Sequence, residues 1–151
     1  MTLVKICGIT SLADALNAID AGADALGFNF YRPSPRYISP ATARKMIAHL
    51  PNEVLKVGVF VNEDAEFVAR TVTEVGLSAV QLHGDESPEY CRALAGNYII
   101  KVFRAGDDFD LETYNVEAIM LDTKDEHLRG GTGRVFDWSI AQRTNNAAPK
   151  L

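Results

Sequence analysis

Two side chains in this 151-residue chain have types that could do chemistry together. Cys7 stands where a short apolar run gives way to Gly8, and Asp122 stands where another apolar run, residues 118–121, stops. A thiolate can take a proton from a carbon beside a carbonyl or imine, and a carboxylic acid can give one to an oxygen. Facing each other across a small pocket, they are the minimum for an isomerase that needs no cofactor. The plainer alternatives are a small buried hydrophobe for Cys7 and a strand-end Asp bonding local amides for Asp122.

Both residues depend on repeated βα units to position them. Residues 3–6 read as a strand, followed by a helix capped by Thr10 or Ser11 and stopped at Gly22. Residues 23–28 read as a second strand. Two prolines, Pro33 and Pro35, forbid regular structure in the loop that follows, and Ser39-Pro40 opens the next helix in the favoured cap-then-proline order. Residues 54–61 read as a third strand, and Asn62 is expected to cap a helix that ends at Gly76. A brief strand over 79–82 leads into His83-Gly84-Asp85-Glu86, and Ser87-Pro88 starts another helix. A fifth strand is expected over 98–103, a short helix or turn over 110–114, and a sixth strand over 118–121. The last residues, 147–151, look like the approach to another strand.

Strands alternating with helices at this spacing predict a parallel α/β sheet whose loops gather at one end. A closed barrel of eight such units usually needs about 200 residues or more, so about six units predict a barrel lacking its seventh and eighth. One domain is expected over residues 1–151.

Composition narrows the function. The chain has 47% hydrophobic and 23% charged residues, and its net charge of −5 argues against a nucleic-acid surface, which needs clustered Lys and Arg. No apolar run reaches the roughly 18 residues of a membrane helix, and the N-terminus lacks the order of a signal peptide, so a cytoplasmic protein is expected. Cys7 and Cys91 are far apart in sequence, which predicts neither a disulfide nor a metal site.

Further candidates surround the central pair. Gln81 and His83 alternate with apolar neighbours, which puts both on one face of a strand. His83 could instead bond a backbone carbonyl. Arg36, between Pro35 and Tyr37, is either solvated or a fork for a carboxylate. Gly130-Gly131-Thr132-Gly133 frees backbone amides to approach an anion, though it is not a Walker loop. Cys91, inside a helix, reads as structural.

Together these segments resemble the phosphoribosylanthranilate isomerase family of tryptophan biosynthesis. The resemblance rests on Lys5-Ile6-Cys7-Gly8-Ile9-Thr10, Gly22-Ala23-Asp24-Ala25-Leu26-Gly27-Phe28, Ser34-Pro35-Arg36-Tyr37-Ile38-Ser39-Pro40 and Val57-Gly58-Val59-Phe60-Val61. It continues through Val80-Gln81-Leu82-His83-Gly84-Asp85-Glu86, Leu121-Asp122-Thr123, and Gly130-Gly131-Thr132-Gly133 with Phe136-Asp137-Trp138. It implies a (βα)8 or TIM barrel and a cofactor-free Amadori rearrangement of N-(5-phosphoribosyl)anthranilate. Asp122 matches the general acid, Cys7 the general base and Arg36 the group that holds the anthranilate carboxylate. Gln81 and His83 would line the pocket floor, Gly131 would face an anion, and Lys5 or Arg36 would add positive charge near the thiol. Family members continue into two further strands whose loops hold the substrate phosphate, so little or no activity of this chain is expected. An open sheet edge also predicts self-association, and a non-catalytic incomplete barrel held together that way is the alternative reading. A histidine-pathway relative is disfavoured by the cysteine, since that chemistry typically uses an aspartate there.

Overall fold

A computed structural model describes residues 2–104 and 113–122. The described strands are β1 (Lys5–Cys7), β2 (Ala25–Asn29), β3 (Leu55–Phe60), β4 (Ala79–Leu82), β5 (Ile99–Arg104) and β6 (Ala118–Asp122). The helices are α1 (Leu12–Asp20), α2 (Pro40–Ile47), α3 (Ala65–Val75) and α4 (Pro88–Ala93). All strand pairs are parallel, and their spatial order equals their chain order. Right-handed crossovers between successive neighbours all return on the same side. The helices therefore cover one face, and the sheet curls as a half-barrel with its other face concave. β1 and β6 are its edges among the described residues.

The helix starts follow local chemistry. Ser11 accepts from the Asp14 N–H at 3.1 Å while its hydroxyl donates to Asp14 Oδ2 at 2.6 Å. Ser39 and Ser87 cap α2 and α4, each followed by proline, whose missing N–H is no loss in a first turn. The expectation that Asn62 caps α3 is corrected. Asp64 takes that place, accepting from the Glu66 and Phe67 N–H groups. Asn62 adopts a left-handed conformation, φ 51°, which Asn tolerates better than most residues, and its Oδ1 accepts from the Asp85 N–H. Gly76 ends α3 in the left-handed conformation, as its position in the sequence implies.

Strand alternation separates two cores. Leu26, Phe28, Phe60, Val80, Leu82 and Ile99 face the helices, with the Phe30 and Phe60 rings stacked at 5.1 Å. Ala25, Val57, Ala79, Ile100 and Ala118 form the smaller cluster on the other side, with Met120 against it. Small residues at most of these positions leave the concave face room, and a cavity of about 350 Å³ opens there beside Lys5, Val57 and Met120. Residues 105–112, with most of the expected short helix over 110–114, and residues 123–151, with Gly131 and the last expected strand, lie outside the described residues.

Candidate active site

Cys7 is the last residue of β1, in register with Gly27 of β2. Gly27 continues the concave parity of Ala25, and a Cβ built on it would lie 2.7 Å from Cys7 Sγ and 3.1 Å from Lys5 Nζ. The missing side chain thus creates the space that thiol and ammonium share, and Lys5 is a cation placed beside the sulfur. Cys7 is an exposed free thiol, which overturns its reading as a buried hydrophobe. Gly8, at φ 87°, turns the chain away, and its N–H and that of Ile9 both donate to the Gly27 carbonyl. A Cβ on Gly8 would lie 2.5 Å from Arg36 Cδ, so the Arg36 side chain lies across the turn that follows Cys7.

Arg36 is delivered there by Asn29. At the end of β2, Asn29 Oδ1 accepts from the Tyr31 N–H at 2.9 Å, and Nδ2 donates to Ser34 Oγ at 3.1 Å. Ser34 Oγ in turn accepts from the Arg36 N–H. The sequence reading missed Asn29. Its signal is a polar residue two positions after Gly27, on the same side of the strand.

At the other edge Asp122 ends β6. Its Oδ2 lies 3.0 Å from His83 Nε2, and His83 Nδ1 lies 3.1 Å from Gln81 Nε2. The expected same-face pairing of Gln81 and His83 is present, and it extends to Asp122, three residues in one hydrogen-bonded row. Gln81 is 2% exposed, whereas the His83 and Asp122 side chains are 19% and 22% exposed, so the row runs from the interior to the open site. Arg104, also missed, is the register partner of Asp122 and pairs with Asp85 at 3.1 Å.

Beneath this row lies a buried ion pair. Lys101 Nζ donates to Glu86 Oε2 at 2.8 Å and to the Gly84 carbonyl at 2.9 Å. The Glu86 carboxylate also accepts from the Asn62 and Gly84 N–H groups, so both charges are satisfied where water cannot reach them. Gly84 is required there, because a Cβ would collide with Asn62 and Glu86. The knot fixes the loop that carries His83. Cys91 is buried beside it, and burial pushes its thiol pKa up, away from any role as a base. Among the described residues no group of three or more His, Cys, Asp or Glu is arranged to hold a metal ion.

The concave face therefore carries a thiol with Lys5 and Arg36 at one edge and a carboxyl row at the other, both at the C-terminal ends of parallel strands. Residues 4–151 match the family model described as N-(5'phosphoribosyl)anthranilate (PRA) isomerase. A relative from Citrifermentans bemidjiense bearing that enzyme name is 51% identical across 93% of this chain and 69% of its own length. One from Desulforudis audaxviator is also 51% identical, across 100% of this chain and 76% of its own. The phosphoribosyl anthranilate isomerase from Thermotoga maritima superposes with a TM-score of 0.89 at 44% identity, across 99% of this chain and 74% of that one. A structure of such an isomerase with reduced 1-(o-carboxyphenylamino)-1-deoxyribulose 5-phosphate gives 0.84 at 42% identity, across 99% and 73%. With a family model spanning nearly all of its length and relatives this similar, the chain belongs to the phosphoribosylanthranilate isomerase family.

Proposed function

We propose that the chain performs its family's isomerisation in tryptophan biosynthesis with Asp122 as general acid and Cys7 as general base. The substrate is N-(5-phosphoribosyl)anthranilate, and the product is 1-(2-carboxyphenylamino)-1-deoxyribulose 5-phosphate. The observation that carries the residue assignment is that both groups end parallel strands on the same concave face, from opposite edges.

Asp122 gives its proton to the furanose ring oxygen. The C1′–O bond breaks with its electron pair on oxygen, and the nitrogen lone pair forms a C1′=N iminium. Cys7 then takes the C2′ proton. The C–H electron pair forms C1′=C2′, and the C=N pair returns to nitrogen, so the substrate is its own electron sink. Ketonisation moves one proton off the 2′ hydroxyl and one onto C1′, which restores both the acid and the base. A thiolate is favoured by neighbouring positive charge, and Lys5 is the cation over Gly27 with the sulfur. Arg36 forks onto the anthranilate carboxylate, Gln81 and His83 line the pocket floor, and Gly131 lends its amide to an anionic group.

Steady-state kinetics test the assignment. Cys7→Ala and Asp122→Asn should each lower kcat by about 100-fold or more with KM little changed, the range of a lost acid or base. A near-normal kcat in either variant removes that residue from its role.

One domain, a cytoplasmic location and self-association through the open edge complete the proposal. A single sheet runs through the described strands, and no helix among the described residues is long and apolar enough to cross a membrane. Leu3, Val4 and Ile6, in and beside edge strand β1, are 48%, 46% and 42% exposed, an apolar edge suited to a second copy of this chain. Sedimentation showing only monomer at high micromolar concentration would remove self-association.

A further inference from the structure

We propose that the groove along the outer face of α2 is a second anion site, which takes the phosphate group of a small phosphate monoester on Arg32, Arg44 and Lys45. It lies on the helix side of the sheet, away from the concave face, and nothing in it depends on the roles given to Cys7 and Asp122.

A cavity of about 850 Å³ opens there, lined by Arg32 and Tyr37 from the loop after β2, by Arg44, Lys45 and His49 along α2 and just beyond it, and by Glu74 of α3. Helical spacing explains its cationic wall. Ala43, Met46 and Ile47 turn inward to the core, which leaves Arg44 and Lys45 exposed on the outward face of α2. The loop divides its two arginines: Arg36 lies across Gly8 beside the catalytic thiol, and Arg32 lines this cavity.

These three cations differ from every other lysine and arginine among the described residues. Arg92, Lys101 and Arg104 pair with carboxylates. Lys56 donates to the Pro51 carbonyl, Arg70 lies over the Phe67 ring, and Lys5 and Arg36 stand at the active site. Arg32, Arg44 and Lys45 form no ion pair among the described residues, and all three line one cavity in a chain whose net charge is −5. Among the lining residues only the Glu74 carboxylate opposes them, which leaves two positive charges in excess. A single carboxylate would neutralise half of that excess. A phosphate monoester carries about −1.5 to −2 near neutral pH and offers three oxygens to donors arriving from both loop and helix. His49 adds a polar edge to the same wall: its Nδ1 lies 2.8 Å from the Lys45 carbonyl, and its Nε2 has no partner among the described residues. Tyr37, Pro40 and Ala48 supply apolar surface for the rest of the ester, and the volume is that of a small-ligand site.

The histidines allow a test that needs no turnover. In ¹⁵N-histidine spectra of the whole chain, His49 is identified by the peak lost in His49→Gln. At neutral pH and low ionic strength, inorganic phosphate should move the His49 signals along a saturating curve with a midpoint of about 1 mM, the scale of a few exposed ion pairs acting together. Phenyl phosphate, which adds a ring for the apolar wall, should saturate at a concentration about 3- to 10-fold lower. Replacing Arg32, Arg44 and Lys45 together by Gln should raise both midpoints by about 10-fold or more, whereas Arg36→Gln should leave them unchanged. Shifts still linear at about 50 mM phosphate, shifts reproduced by sodium chloride at matched ionic strength, or an unchanged midpoint in the triple variant would each overturn the site. Movement of His83 without His49 would place the anion at the active site instead, and tighter binding of a phosphoserine peptide than of phenyl phosphate would overturn the assignment to a small molecule.

Discussion

The two edges of the concave face hold their reactive groups by opposite means. Around Cys7 the chain removes matter: Gly27 leaves the space for the sulfur and Lys5, and Gly8 leaves the space for Arg36. Around Asp122 it adds bonds, with Gln81 and His83 in line and the Lys101–Glu86 pair fastening the loop below. Cys7 is left exposed, whereas Asp122 is held at the end of a hydrogen-bonded row. A group that must abstract a proton from a moving substrate benefits from clearance, and one that must donate along a single line benefits from restraint.

The sharpest way to break this contrast is Lys101→Met. It leaves the buried Glu86 carboxylate without its counter-charge, and the expected loss is about 3–5 kcal/mol of stability in urea unfolding. A change below about 1 kcal/mol would mean that the knot is not what secures the acid edge. At the base edge, Gly27→Ala should behave differently. The new methyl competes with a sulfur 2.7 Å away, so kcat should fall by about 100-fold, the scale of a 1 Å misplacement, while the melting temperature changes little. Unaltered kcat would show that the thiol does not need that space.

The smallest effect belongs to the periphery of the acid edge. Tyr90 donates to the Glu63 carbonyl at 2.6 Å, and burial, followed by the nearby Glu86 charge, pushes its phenol from 10.0 to about 12. Its neutral form is favoured in the folded state, so its contribution is intact below pH 10 and is lost as pH rises towards 12. Tyr90→Phe should remove that part of the alkaline loss of stability, together with about 1 kcal/mol from the lost bond at neutral pH. Identical alkaline slopes in the two proteins would contradict the assignment.

Much of this was legible in residue order. Ser11, Ser39-Pro40, Ser87-Pro88 and Gly76 mark helix ends through bonds that close within a few residues, so neighbours in sequence suffice to read them. Gln81 and His83 share a face because strand geometry repeats every two residues. Asn62 shows where this reading fails. Its side chain suits a cap, but its Oδ1 accepts from the Asp85 N–H and its backbone N–H donates to Glu86, both more than 20 residues away, and Asp64 caps the helix instead. The Lys101–Glu86 pair escaped for the same reason, since a buried charge is recognisable only once its partner is known, whereas Asn29 bonds locally, to Tyr31 and Ser34.

The amino-acid order by itself determined the alternation of strand and helix, the strand ends on which Cys7 and Asp122 stand, and the family to which those motifs correspond. Only the tertiary structure decided that Lys5 shares the space over Gly27 with the thiol, that Arg36 lies across Gly8, and that Gln81, His83 and Asp122 join in one row. Local periodicity fixes the direction in which a side chain leaves the backbone, but which atoms it meets depends on the register between strands distant in the chain, and that register is set by the packing of the whole sheet.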